Sequence, residues 1–214
     1  MTSRITTATR HGDYFSFLGL PRTLGIDERD LERRFRALSR QFHPDYFYNA
    51  TSAERRASLE RSSYLNDAFR MLRNPISRVE YLLTLEGVAA KGPEEAGQHV
   101  PAALLEEVFA WNEELHEIRD LRVRGAATGE WKSRLERAGK PIEAKGAAHE
   151  HQLGELSAEW DRLVTAGAPE AKRRPVLEAL RDRLLERHYI NNLLTGIQKE
   201  LDSAPGTRTH HPAP

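Results

Sequence analysis

Residues 27–45, DERDLERRFRALSRQFHPD, decide how the N-terminal part of this chain folds. At about 100° per residue, a helix over this stretch carries apolar side chains on one side and arginines on the opposite side. Asp27 is a predicted N-cap, and Pro44 disfavours helical geometry at His43. The predicted helix therefore ends where His43-Pro44-Asp45 begins. The apolar series is Leu31, Phe35, Leu38 and Phe42, and the basic series is Arg29, Arg33, Arg36 and Arg40.

Further helices are predicted on both sides of this stretch. Thr51 and Glu54 form a capping-box signature at the start of a helix that runs to about residue 72. Two helices therefore flank an exposed loop that holds His-Pro-Asp. Shorter helices are predicted within residues 13–21, DYFSFLGLP, and residues 77–87, SRVEYLLTLEG, because each apolar run is closed by glycine.

The C-terminal half predicts three antiparallel helices. The first runs from Pro101 to about Arg124, and the third from about Pro175 to Leu201. The middle helix, within residues 128–166, is predicted to be broken or kinked by Gly139-Lys140-Pro141 and by Gly146. The predicted core seam of the first helix is Leu104, Val108, Trp111, Leu115 and Ile118. The predicted fold class is all-α.

The composition excludes several classes of function. The 214 residues include 32 basic and 32 acidic side chains, so no field of the whole chain favours nucleic acid. There is no cysteine, which excludes disulfides and thiolate-held iron–sulfur clusters, and no cofactor is predicted. No apolar run approaches the roughly 20 residues of a transmembrane helix, so we expect no membrane partner and a cytoplasmic location.

Several motifs together resemble the HscB family, the J-domain co-chaperones of iron–sulfur cluster assembly, in its bacterial form. They are DYFSFLGLP at residues 13–21, Arg40-Gln41-Phe42-His43-Pro44-Asp45, Asn66 with Ala68, Leu72-Arg73-Asn74-Pro75, and Arg78-Val79-Glu80-Tyr81-Leu82-Leu83. The last segment matters most, since generic J-domains lack it. The resemblance to a J-domain covers about the first third of the chain.

The resemblance implies a function and a division into domains. A protein of this family is not itself an enzyme; it stimulates the ATPase of a DnaK/HscA-class chaperone and brings a cluster-scaffold protein to it. The expected divisions are a disordered tail at 1–12, the J-domain at 13–90, a linker at 91–100, a scaffold-binding helical bundle at 101–203 and a disordered tail at 204–214.

The resemblance also assigns two sets of site residues. The expected chaperone-binding residues are His43, Pro44, Asp45, Arg33, Arg34, Arg36 and Arg40. The expected scaffold-binding residues by resemblance are Leu105, Phe109, Glu113 and Glu117. Tyr189 falls away from the core stripe of the last helix, so it is expected to join the same surface. Leu105 and Phe109 project about 100° from the core direction, but periodicity alone leaves open that they are core residues of a tighter bundle. Glu106 and Ala110 depart from the family pattern, which has an apolar residue and an acid there.

Three alternatives compete with this interpretation. A J-domain protein with a different client would share the same loop. A nucleic-acid-binding helical protein could use the arginine face, but the balanced charge and the dispersed acids argue against it. A hydrolase using His43 and Asp45 lacks a nucleophile and a phosphate loop. His149 and His151 are two residues apart, so on a helix they point to different faces and do not form a metal pair.

Overall fold

The computed structural model describes residues 12–88 and 104–202, which are all-α. This confirms the predicted fold class. The predicted tails, the linker and the start of the first C-terminal helix at Pro101 lie outside the described residues. The α-helices are α1 Tyr14–Phe17, α2 Glu28–Phe42, α3 Ser52–Arg73, α4 Pro75–Leu85, α5 Leu105–Val123, α6 Thr128–Thr165 and α7 Glu170–Asp202, and a 3-10 turn at Pro44–Phe47 joins α2 to α3.

Side-chain caps set the starts of the N-terminal helices. The Asp27 carboxylate accepts from the Arg29 backbone N–H at 2.9 Å at the start of α2. Thr51 and Glu54 form the predicted reciprocal capping box at the start of α3. Asn74 accepts from two backbone N–H groups at the start of α4. Each cap satisfies helix donors that would otherwise have no partner, so these boundaries are encoded locally.

The chain forms two compact units. The first is Met1–Ala89 with Glu155–Arg181, and the second is Ala90–Gly154 with Asp182–Pro214. The predicted bounds, 13–90 and 101–203, place the stretch from Glu155 to Arg181 in the C-terminal bundle instead. In the structure, Glu155–Arg181 instead groups with the N-terminal unit.

Hydrogen bonds to the N-terminal segment explain that difference. The Trp160 indole Nε1–H donates to the Arg22 carbonyl at 2.8 Å. The Asp161 carboxylate accepts from the Leu24 and Gly25 backbone N–H groups, both at 2.6 Å. Charge-assisted hydrogen bonds of this kind are stronger than those between neutral groups. The end of α6 therefore belongs to the first compact unit by its contacts, although the sequence between them is more than a hundred residues long.

The core of the first unit brings together α1, α2 and α3. Phe15, Leu31 and Leu72 have no exposed surface, and Leu65 is 1% exposed. Full burial of each such side chain contributes about 1.5–3 kcal/mol. The rings of Phe35 and Phe69 stack with their centroids 4.3 Å apart. The apolar face that the sequence predicts for α2 is thus the face that packs on α3.

The second unit has a core drawn from three helices. The predicted seam of α5 is confirmed: Leu104, Trp111 and Ile118 are buried, while Val108 and Leu115 pack beside them. The facing residues are Trp131, Leu135 and Ile142 from α6 and Ile190 and Ile197 from α7.

The predicted break in the middle helix is wrong, because α6 is continuous from Thr128 to Thr165 and includes Pro141. A proline inside a helix removes one hydrogen bond and costs about 3 kcal/mol. The neighbouring Ile142 is only 4% exposed and packs in the core with Leu135. We attribute the persistence of the helix to this burial on both sides of the proline. None of the described helices is long and apolar enough to cross a membrane.

Candidate functional site

The His-Pro-Asp sequence forms a compact, exposed turn after α2. His43 is extended, with φ −63° and ψ 128°, and Pro44 opens the 3-10 turn. The His43 Nδ1 atom accepts from the Asp45 backbone N–H at 3.3 Å, so the neutral ring carries its proton on Nε2. The side chain of His43 is 50% exposed and that of Asp45 is 87% exposed. The turn therefore presents a polar ring and a carboxylate to solvent.

Two serines of α3 support the turn from beneath. The hydroxyls of Ser58 and Ser62 donate to the Phe42 carbonyl at 2.8 and 2.7 Å. The guanidinium of Arg61 lies 5.7 Å from the centroid of the Phe42 ring, within range of a cation–π contact. The last residue of α2 is thus fixed on α3. Neither serine was predicted from the sequence, although their spacing of four residues places both on one face of α3.

The far side of the turn is fixed by Arg55. Its Nη1 atom donates to the Ala50 carbonyl at 3.0 Å and to the Tyr48 carbonyl at 3.4 Å. The capping box at Thr51 follows directly. His43-Pro44-Asp45 is therefore held at both ends.

The predicted arginines divide into two groups. Arg33 and Arg36 are 75% and 72% exposed, and they pair along the helix surface with Asp30 and Glu32. Exposed pairs of this kind are worth at most about 1 kcal/mol, so a partner can replace them at little cost. Arg40 is exposed, and with Ser39, His43, Asp45 and Tyr46 it lines a shallow surface cavity. The structure brings Arg40 and the turn together.

Arg34 has a structural position instead. Its Nη1 atom donates to the carbonyls of Gly19 and Leu18 at 2.7 and 3.3 Å, where α1 has just ended. Its Nε atom donates to Asp30 at 2.8 Å, and this hydrogen bond is the main reason that the pKa of Asp30 lies below its usual value. These bonds hold α1 against α2.

The Arg-x-Glu-Tyr-Leu-Leu segment lies inside the first unit. Arg78 is 4% exposed, and its guanidinium donates to the carbonyls of Leu72 and Leu24. The Tyr81 hydroxyl accepts from the Tyr14 backbone N–H at 2.9 Å, and burial raises the pKa of Tyr81 to about 12. Leu82 and Leu83 are buried. The segment therefore builds the core that carries the turn.

The predicted scaffold-binding residues of α5 lie along one exposed strip. Phe109 is 70% exposed and Leu105 is 39% exposed, so the alternative that Phe109 is a core residue is excluded. Glu113 is exposed, and Glu117 is about half exposed while pairing with Arg134. These four residues are spaced four apart and share a helix face.

Tyr189 differs from the expectation that it lies away from the core. It is partly buried and packs against the core of the second unit. Its ring also meets that of His188 edge-on at 6.3 Å. Leu193, one turn further along α7, packs on the same core, which accounts for the direction of the Tyr189 side chain.

His149 has a structural partner. It is 4% exposed, and its Nε2 atom lies 2.7 Å from Glu186 Oε2, without the alignment of a hydrogen bond. Burial lowers the pKa of His149 and raises the pKa of Glu186. Arg183 donates to the other oxygen of Glu186 at 2.6 Å. His151 is exposed and does not share this environment.

Comparison with known proteins gives a consistent result. The chain is 40% identical over 108 residues to the Co-chaperone protein HscB homolog of Bordetella petrii; the match covers 50% of this chain and 62% of that relative. No protein-family model matches the chain.

Two solved structures have the same fold. Chaperone HscB from Vibrio cholerae has a TM-score of 0.54 at 24% identity, covering 89% of this chain and 98% of that one. The crystal structure of human co-chaperone protein HscB has a TM-score of 0.57 at 24% identity, covering 88% and 81%. The identity to the Bordetella petrii relative confirms the resemblance to the HscB family that the motifs indicate, and the solved structures show that the fold is shared.

Proposed function

From the premise that this chain resembles HscB co-chaperones in sequence and in fold, we propose that it is a co-chaperone of iron–sulfur cluster assembly. It stimulates the ATPase of a DnaK/HscA-class chaperone through His43, Pro44 and Asp45. It delivers a cluster-scaffold protein to that chaperone through its C-terminal helices, and it acts in the cytoplasm. The observation that carries the proposal is the exposed His-Pro-Asp turn, fixed at both ends and adjacent to the arginine face of α2.

Charge attraction accounts for the first encounter. Arg33, Arg36 and Arg40 attract an acidic patch on the chaperone, which raises the association rate more than the affinity. Because Arg33 and Arg36 are largely exposed and pair with the partly exposed acids Asp30 and Glu32 of their own helix, docking does not require breaking a buried ion pair. Arg34 contributes to this surface by holding α1 in place rather than by contacting the chaperone.

The turn then changes the state of the chaperone. Pro44 fixes the backbone, so the turn is ordered before binding and loses little conformational entropy on docking. His43 and Asp45 make polar contacts that are better in the hydrolysis-competent state of the chaperone than in its resting state. Only such a difference in affinity shifts the population toward hydrolysis.

The C-terminal helices act as a tether. Phe109 and Leu105 supply apolar contacts to the scaffold, and Glu113 and Glu117 supply charge beside them. Binding the scaffold and the chaperone at once raises the concentration of one near the other. Because the chain has no cysteine, it cannot hold a cluster through thiolates, so the cluster stays on the scaffold.

The test is steady-state ATP hydrolysis by a DnaK/HscA-class chaperone, with wild-type protein or the His43→Gln variant, with and without a scaffold. We expect stimulation by the wild type, a further increase with the scaffold, and no stimulation by His43→Gln. The variant should still fold and bind the scaffold, since the His43 side chain is half exposed.

Two results would contradict the proposal in different ways. Stimulation that is indifferent to the scaffold would retain the co-chaperone activity and favour a different client. Stimulation by His43→Gln at the wild-type level would remove the turn from the mechanism.

A further inference from the structure

Exposed large apolar side chains occur in two parts of the chain. Among the described residues there are six, of which three lie on α5 and three lie in the His-Pro-Asp turn or in the first half of α3 that follows it. Tyr46 is 74% exposed, Tyr48 is 80% exposed and Leu59 is 57% exposed. We call these three residues the turn-side patch. Aromatic rings presented to water in this way are typical of contact sites for protein partners.

The backbone that carries the two tyrosines is ordered. The Tyr46 N–H donates to the His43 carbonyl at 3.1 Å, and the Tyr48 N–H donates to the Asp45 carbonyl at 3.4 Å. Arg55 holds the Tyr48 carbonyl from α3. A tyrosine on a fixed backbone has only two side-chain torsions to restrict on binding, so it contributes contact area at a low entropic cost.

The patch is continuous with the residues that the proposed function uses. Tyr46 lines the same shallow cavity as Arg40, His43 and Asp45, and its ring lies edge-on to that of His43 at 6.2 Å. Arg55 contacts the Tyr48 carbonyl, and Leu59 lies one helical turn beyond Arg55. A partner that contacts His43 and Asp45 therefore also meets Tyr46.

The charges around the patch favour a protein over a phosphate-bearing surface. Arg40 and Arg55 supply positive charge, but the Asp45 carboxylate, which is 87% exposed, lines the same cavity as Arg40 and Tyr46. Glu54 adds a second acid in the capping box of α3, and its neighbour Arg55 contacts the Tyr48 carbonyl. Nucleic acid or an anionic membrane would be repelled by these carboxylates. A protein surface can offer an apolar depression for the rings and acids for the arginines.

We propose that the turn-side patch is a second, apolar part of the chaperone-docking surface, with Tyr46 and Tyr48 entering an apolar depression bordered by acidic residues on the chaperone. The inference rests on the proposed co-chaperone function and adds specificity to it. His43 and Asp45 act on the state of the chaperone, whereas the tyrosines supply affinity. Affinity and effect on the chaperone can be measured separately, as the half-stimulating concentration and the maximal stimulation of the ATPase.

The experiment measures ATPase stimulation as a function of the concentration of this protein, for wild type, Tyr46→Ala, Tyr48→Ala and the double variant. Loss of an aromatic anchor at a protein interface commonly weakens binding about tenfold. We therefore expect each single variant to raise the half-stimulating concentration about tenfold, with the maximal stimulation retained. His43→Gln should instead abolish the maximum.

Matched controls separate lost contact from lost folding. Val123→Ala removes an equally exposed apolar side chain, 87% exposed, from α5 and should leave the stimulation curve unchanged. Tyr46→Phe and Tyr48→Phe keep the rings and should stay close to wild type. The melting temperature of each alanine variant should match that of wild type, since substitutions of exposed side chains away from the core change stability little.

Three outcomes would overturn the inference. A double variant with the wild-type half-stimulating concentration would refute it while leaving the co-chaperone function intact. Wild-type protein that stimulates no chaperone would remove both. Sedimentation of the wild type, but not the double variant, with phosphatidylserine vesicles, together with an unchanged stimulation curve, would assign the patch to membranes.

Discussion

The arginines of α2 show how position on a helix decides the role of a side chain. Arg33, Arg36 and Arg40 lie opposite the apolar series, so they reach water. Arg34 lies about 70° from the centre of the apolar face, by the ~100° rotation per residue. It is close enough to α1 for its guanidinium to bind two carbonyls there. The four arginines carry the same charge, but their angular positions around the helix give Arg34 a different role from the other three.

Phe109 allows a direct test of the scaffold surface. Phe109→Ala should weaken scaffold binding by about 1–3 kcal/mol, because an exposed aromatic anchor is lost without a cavity being made. Isothermal titration calorimetry with the scaffold measures this change. Val123→Ala, which removes another exposed apolar side chain of α5, is the matched control. Equal affinities for wild type and Phe109→Ala would place the scaffold elsewhere.

Two side chains near the C-terminal end of α6 bind the segment of residues 22–25. Asp161 accepts two backbone N–H groups, and Trp160 donates to a third backbone atom. The Arg78 guanidinium donates to three more carbonyls, that of Leu24 in this segment and those of Leu72 and Arg73 at the end of α3. Residues 22–25 form no helix, so several of their backbone polar groups are satisfied by these side chains instead.

Asp161→Ala should loosen that segment. Hydrogen bonds to a charged group contribute about 1.5–3 kcal/mol, so the variant should unfold at a lower temperature. Hydrogen exchange should become faster at the Leu24 and Gly25 amides, which are the donors. Glu159→Ala is the control, since Glu159 pairs with the exposed Arg162 on the same helix. Unchanged exchange at both amides would show that other contacts hold the segment.

For the chain as a whole, the balanced charge means that electrostatic steering is local. With 32 basic and 32 acidic residues, the net field at long range is close to zero. The arginine face of α2 can therefore act only within about one Debye length, roughly 10 Å at 0.1 M salt.

The association rate with the chaperone should consequently fall as salt increases, while the dissociation rate changes little. The double variant Arg36→Gln, Arg40→Gln should associate more slowly and depend less on salt. Stopped-flow fluorescence across about 50–200 mM salt measures both slopes. A wild-type rate that is independent of salt would mean that the arginine face does not steer docking.

The sequence by itself determined the features that depend on near neighbours in the chain. Helix starts at Asp27 and Thr51 follow from caps within three residues, and the apolar face of α2 follows from helical spacing. The end of α2 before the His-Pro-Asp turn follows from Pro44, which disfavours helical geometry at His43. The family resemblance could be recognised from the sequence for the same reason, because each motif consists of a few neighbouring residues.

Only the tertiary structure decided the features that join distant parts of the chain. Gly139-Lys140-Pro141 and Gly146 predict a break or a kink, but burial of Ile142 among residues of other helices keeps α6 continuous. Helical periodicity directs Tyr189 away from the core, whereas the structure packs it there. The bonds from Trp160 and Asp161 to residues 22–25 cross more than 130 positions, and no local pattern encodes a partner at that distance.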